Sequence, residues 1–161
     1  MTTVVIYILQ FIGALIIWSL VSYTLHYVSH MKFKNNLLWK THKHHHLNKY
    51  EGKRTLPEWK NFFFWFGSWG KTGDVLILYT IPALTISFLI GGGAYFLIIF
   101  HYIYEVFLAD EALEHNKKIG KPITNFLAIG QYHMLHHQKI IGNYSSIFVI
   151  WDKLFKTEIK H

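Results

Sequence analysis

The chain has 161 residues, of which 52% are hydrophobic, 18% aromatic and only 16% charged, more apolar surface than a soluble domain of this size holds, so it reads as one small membrane bundle. The formal net charge of +7 invites a nucleic-acid reading, but no recognisable motif interleaves the lysines with exposed aromatics, and no nucleic-acid partner is expected. The absence of cysteine excludes disulfides, thiolate metal ligands and cysteine nucleophiles.

Val4 to Tyr27, "VVIYILQFIGALIIWSLVSYTLHY", contains no Lys, Arg, Asp or Glu. As a helix it reaches about 36 Å, enough for a hydrocarbon core of about 30 Å. It lacks the positive start and small-residue cleavage site of a signal peptide, so a retained span is expected. Residues 31–73 follow as a cytoplasmic and interfacial stretch. Within it "NFFFWFGSW", Asn61 to Trp69, lies between Lys60 and Lys71 and is too short to cross. It is expected at headgroup level. Val75 to Ile90 and Ala94 to Ala109 are two further apolar segments, joined by Gly91-Gly92-Gly93. Each covers only about 24 Å as a helix, which leaves open a tilted spanning hairpin or a re-entrant one. Pro82 is expected to kink the first arm.

All sixteen Lys and Arg fall within 32–71 and 117–160, regions that this topology puts on one side. By the positive-inside rule that side is cytoplasmic. The expected fold is therefore all-α: an integral membrane helical bundle forming a single domain over 1–161. It has one N-terminal span (1–30), a Gly-turn helical hairpin (74–109) and a cytoplasmic histidine-rich cap (110–161).

Twelve histidines are the chain's chemical signature. His42, His45 and His46 spell HxxHH, and His133, His136 and His137 repeat it in "HMLHH"; His26 and His30 form HxxxH at the inner end of the first span. On a helix, positions i, i+3 and i+4 share a face, so each word can aim two or three imidazoles at one centre. Solvated cations near helix ends would account for one such group. Two identical words and a third spaced pair on one membrane face point instead to metal. Eight to ten imidazoles exceed one ion's shell, so two ions are expected. Imidazole suits zinc, copper, iron and nickel alike. The lack of thiolate argues against a structural zinc knuckle. In "ADEALEHN", Glu111 and His115 are four apart; His115 is a ninth nitrogen ligand, and Glu111, ahead of Asp110, an oxygen ligand or an acceptor for an imidazole N–H.

The words "HYVSH" (26–30), "LWKTHKHHH" (38–46) and "HMLHH" (133–137), with the tail "NYSSIFVIWDKLFKT" (143–157), resemble the fatty acid hydroxylase superfamily, which includes sterol desaturases and carotene hydroxylases. The resemblance spans residues 20 to 157. It implies an integral membrane enzyme with a cytoplasmic, non-haem di-iron centre that uses O2 to hydroxylate or desaturate a lipid: a fatty acyl chain, a sterol or a carotenoid. The metal set so implied is His26, His30, His42, His45, His46, His115, His133, His136 and His137, holding two Fe ions, with Zn able to occupy such sites in purified protein. Two departures stand out. Glu111 occupies a position where many members carry histidine, and "DEALEH" stands where a carotenoid-type third box would be, although the short chain is nearest in size to bacterial carotene hydroxylases.

An unactivated C–H bond offers no leaving group, so a redox metal must supply the oxidant while the protein supplies position. The chain has no haem segment, flavin fingerprint or cysteine cluster, so electrons are expected from an external carrier, a ferredoxin or small cytochrome, which the basic face would suit. The rival is a membrane metal-binding or metal-transport protein. Transport asks for ionisable ligands near the midplane, where Ser19, Ser22, Thr80, Thr85 and Ser87 are weak candidates. His101 and Glu105, four apart inside the second arm, are the ionisable exception: a buried pair, or part of a substrate channel. His44 lies outside the repeated spacing and is expected in solvent or behind a ligating residue, and the terminal His161 is expected to be disordered.

Overall fold

The computed structural model describes residues 2–50 and 56–159; His161 lies outside them. Helix α1, Thr3–Ser29, buries a stripe of mostly small residues, Ala14, Trp18, Ser22, His26 and Ser29, spaced three or four apart so that they share one face. Its other faces expose Val4, Ile8, Ile12 and Ile16, as a lipid-facing surface requires. Asn36 then fixes the next helix, α2 (Leu37–His46), against the end of the first. Its side-chain oxygen caps α2 by accepting from Trp39 N at 3.1 Å, and its amide donates to the carbonyls of Val28, Ser29 and Met31 at 2.8–3.0 Å.

The first hairpin arm begins with α3, Trp69–Val75, where the Ser68 hydroxyl accepts from Lys71 N at 3.2 Å. It passes through a π turn, Leu76–Thr80, into α4, Ile81–Ile90. The disruption expected at Pro82 takes this form: proline donates no N–H, and the wider turn just before it rearranges the ladder. Gly91, at φ 71°, opens the turn. A Cβ on Gly93 would overlap the Tyr7 backbone, so the turn lies directly against the start of α1, and Gln10 Oε1 accepts from Gly93 N at 2.8 Å. The return arm comprises α5, Phe96–Ile103, and a π-wound stretch, Tyr104–Glu114, broken at Asp110 (φ −53°, ψ −122°).

Among the described residues three helices are thus long and apolar enough to cross a membrane: Thr3–Ser29, Trp69–Ile90 and Gly92–Glu114. The hairpin arms exceed the expected 75–90 and 94–109, because helix continues into the polar residues at both inner ends. At 22 and 23 residues they reach about 33 and 34 Å. Ala14, Trp18, Ala83, Ile86, Ala94 and Leu97 pack between the three, and Trp18 Nε1 donates to the Tyr79 carbonyl at 2.9 Å. The chain after residue 114 folds over the end of the bundle where α1 terminates, as α6, Gln131–Lys139, and α7, Ile150–Leu154, joined by loops. No strand occurs among the described residues, only an isolated bridge between Leu127 and Phe148.

Candidate metal centre

The nine histidines singled out in the sequence as metal ligands converge at this end of the bundle, in two groups. His26, His30, His42, His46 and His136 form one; His45, His115, His133 and His137 form the other. Within each group one nitrogen from every ring lies within 4.8 Å of all the others. The HxxHH words do not each serve one centre, as their shared face suggested. Helix α2 sends His42 and His46 to the five-histidine group and His45 to the other. Helix α6 does the reverse, sending His136 to the five and His133 with His137 to the four. The reason is helical phase: positions i and i+4 differ by about 40°, whereas i+3 and i+4 differ by about 100°. Two centres side by side can therefore each take a share of the same helix face.

The distances suit an ion. In the five-histidine group Nε2 of His136 lies 3.0 Å from that of His26 and 3.1 Å from that of His46, which is 3.0 Å from His42 Nε2. In the four-histidine group His137 Nε2 lies 3.0–3.1 Å from those of His45, His115 and His133, and His45 stands 3.4 Å from His115 and His133. Nitrogens about 2.1 Å from a central metal are separated by about 3.4 Å at tetrahedral corners and about 3.0 Å at adjacent octahedral ones.

Proton placement follows from the outer partners. Nδ1 of His26 meets the Tyr144 carbonyl at 2.7 Å, that of His136 the Gly142 carbonyl at 2.8 Å, and that of His115 the Asp110 carbonyl at 3.2 Å. His42 Nδ1 sits 3.0 and 3.1 Å from the two oxygens of Asp74. These acceptors carry no proton to give when the carboxylate is ionised, so each Nδ1 donates and each Nε2 turns a bare lone pair inward. Lone pairs facing one another at 3 Å repel unless a cation lies between them. His30 Nε2 is buried with no hydrogen-bond partner among the described residues, another nitrogen that a cation would satisfy.

The same packing keeps the imidazoles neutral. Burial holds His115 and His136 down to about 3 from an ordinary 6.5; an adjacent imidazole adds to this for both, and a carbonyl hydrogen bond opposes it. His30 and His46 are likewise lowered to about 3 by burial and then by a neighbouring imidazole. His42, His45, His133 and His137 are lowered by burial first and by surrounding histidines second. Neutral imidazole is the form that binds metal.

Beside the four-histidine group lies a cavity of about 290 Å³, lined by His45, His115, Tyr50 and Tyr79 together with Asp74, Glu105, Asp110, Glu111 and Glu114. Tyr50 stacks on His115 with ring centroids 3.5 Å apart, and its hydroxyl lies 3.2 Å from His45 Nδ1. Glu111 lines this cavity but belongs to neither histidine group. His101 and Glu105 differ in where they sit. They lie 3.8 Å apart, and Thr80 Oγ1 is 2.9 Å from His101 Nε2, while Glu105 alone reaches the cavity wall. His44 is exposed and packs against Gly70, away from both groups.

Sequence reasoning missed Asp74, Tyr50, Tyr144 and Gly142. Asp74 carried a usable signal, since a carboxylate at the head of an apolar arm requires a partner; the carbonyl acceptors Tyr144 and Gly142 carried none.

A family model described as fatty acid hydroxylase matches residues 11–157. No curated protein and no solved structure matches the chain.

Proposed function

Because the chain belongs to the fatty acid hydroxylase family, we propose that it is a membrane-bound lipid oxidoreductase in which each histidine group holds one iron ion. The observation that carries this reading is the inward convergence of Nε2 lone pairs in two adjacent groups, each oriented from behind by Nδ1–H bonds. When bound, the iron pair supplies the O2-dependent oxidation of an unactivated C–H bond, chemistry that acid–base side chains cannot supply alone. Hydroxylation consumes one O2, two electrons and two protons per lipid and releases water. The electrons come from an external carrier, a ferredoxin or small cytochrome. Loss of a second hydrogen instead gives desaturation.

The chain's own residues have identifiable parts in this. Asp74 and the carbonyls of Asp110, Gly142 and Tyr144 hold four imidazoles in the tautomer that ligation requires. The three long helices shield the centre from one side and hold the lipid chain, while the segments after His115 shield it from the other. The cavity beside His45 and His115 is the approach for the reacting carbon, with Glu111 in its wall. Residues 1–161 act as one unit. Its histidine end faces the cytoplasm, because the Lys and Arg of the sequence are confined to 32–71 and 117–160 and the described ones among them lie toward that end. The family favours this reading over metal transport or storage.

The test is metal content and carrier-dependent O2 uptake by the purified protein in lipid, with lipid profiles of cells that make or lack it. Two irons per chain and a hydroxylated or desaturated lipid are expected. Fewer than two metal ions per chain after reconstitution, or O2 uptake and lipids both unchanged, would refute the proposal.

A further inference from the structure

Two of the five imidazoles in the larger group are steered by one short piece of backbone. His26 Nδ1 donates to the carbonyl of Tyr144 and His136 Nδ1 to that of Gly142, two residues apart in a loop with no regular structure of its own. Such a loop cannot hold two acceptors to a few tenths of an ångström unless something fixes it. That something is Asp152, fully buried on the short helix α7. Its Oδ1 accepts from Tyr144 N at 2.8 Å and from the Thr157 hydroxyl at 2.7 Å; its Oδ2 accepts from Ser145 N at 2.8 Å and from the Tyr132 hydroxyl at 3.0 Å. Four donors saturate the carboxylate, two of them from the loop itself. The ring closes further on: Asn143 N donates to the Thr157 carbonyl at 2.9 Å, and Thr157 N to the Asp152 carbonyl at 2.9 Å. Trp151 Nε1 donates to Ser19 Oγ at 3.0 Å and so ties α7 to the first span. The hydrogen-bond partners of His45, His115, His133 and His137 are one another, Tyr50 and the Asp110 carbonyl, and none of these belongs to the clasp.

We propose that Asp152 is a positioning residue for the five-histidine group alone: it sets the two carbonyls that orient His26 and His136, and so governs the affinity of one ion of the pair. This rests on the reading that each group holds an ion. The carboxylate is needed rather than any polar side chain. An amide in its place keeps one acceptor and turns an N–H2 toward two of the donors that the lost oxygen served. Outer partners of ligating histidines are typically worth ten- to a hundredfold in metal affinity. Acting one step further out but on two imidazoles, Asp152→Asn is expected to weaken one ion roughly tenfold.

The test uses the full chain in lipid nanodiscs, titrated with Co2+ alone and followed by visible absorption and by metal counted per chain. His26→Ala and His133→Ala assign the two binding classes to the five- and four-histidine groups. Wild type is expected to take two ions. Asp152→Asn is expected to lose affinity in the class assigned by His26→Ala and keep the other. Tyr50→Phe, which removes the hydroxyl beside His45, is expected to do the opposite. Thr157→Val removes one donor to Asp152 near the surface, and is expected to weaken the five-histidine class severalfold; should Asp152→Asn fail to fold, this variant decides alone. Unchanged affinities in both classes, or equal weakening of both, would overturn the clasp. A wild-type protein that takes fewer than two ions would overturn the underlying metal reading instead, whatever the variants do.

Discussion

Asp74 offers the sharpest perturbation of the proposed centre. It is almost fully buried, and both carboxylate oxygens face His42 Nδ1, at 3.0 and 3.1 Å. A cation held by the five-histidine group would favour the ionised form of Asp74, and the bond is then charge-assisted, worth about 1.5–3 kcal/mol against about 1 kcal/mol for a neutral one. In Asp74→Asn the difference, about 1.4 kcal/mol, is a tenfold weakening of whatever depends on His42. Asp74→Ala goes further. It leaves Nδ1–H buried with no partner, and the cheapest remedy is to move the proton to Nε2, where it blocks the lone pair 3.0 Å from His46 Nε2. A loss of about a hundredfold is then expected. Chelator competition against the purified protein measures both variants, with unfolding of the metal-free protein recorded separately so that fold stability is not mistaken for affinity. The order wild type, Asn, Ala is the signature. Wild-type metal affinity in both variants would refute the inference that Asp74 sets the His42 tautomer, and with it the inward lone pair on which the site is argued.

Replacing His45 or His136 by Ala is expected to remove turnover and cost one metal ion per chain, whereas His44→Ala should alter neither; elemental analysis with O2 uptake checks this. Glu111→Gln should leave the metal count at two while slowing turnover, since Glu111 lies in the cavity wall outside both histidine groups. Acid should destabilise the protein in a defined window. His115 and His136 bind protons near 6.5 when unfolded and only near 3 when folded, so stability is complete above about 6.5 and falls steadily as pH drops toward 3. At pH 5 each contributes a loss of roughly 2 kcal/mol, and bound metal, which requires the neutral rings, is expected to dissociate over the same range. Thermal unfolding of metal-free protein at pH 7.5, 6 and 5 checks the sign; a midpoint that rises on acidification would contradict it.

The histidine words were legible because their spacing is a local property of a helix, and local properties survive reading one residue at a time. Their division between two centres was not, because it depends on how α2 and α6 are rotated about their axes relative to α1 and to each other. The stretch Trp69 to Asp74 misled for a related reason. Residues up to 73 are expected in the cytoplasmic and interfacial part, with the hairpin from 74 and its apolar segment from Val75. In the folded chain Ser68 caps that stretch as helix, and the glycines serve close packing against α2: a Cβ at Gly70 would overlap the His44 ring, and one at Gly73 would stand 3.2 Å from Thr41 Cγ2. Asp74 enters the site only because the arm starts this early. Asp152 could be seen as part of a recognisable tail, but its work on His26 and His136 runs through main-chain atoms that every residue possesses, and no side-chain pattern announces it.

Charge gives these parts a common logic. Nine neutral imidazoles contribute no negative charge, so two divalent ions in the two groups would bring +4 into a site shielded from water. Six carboxylates, Glu58, Asp74, Glu105, Asp110, Glu111 and Glu114, line the one cavity beside the four-histidine group, out of nine acidic residues in the whole chain. Lys49 and Lys71 share that wall, leaving the acids in excess. Where the dielectric is low, charges a few ångströms apart compensate one another without contact. Bound cations favour the ionised form of carboxylates held at this remove, which would then balance the ions while the coordinating positions stay with imidazole. That division explains why a chain with so few acidic residues concentrates them beside its histidines. It also accounts for Glu111 standing next to the proposed centre without joining either group.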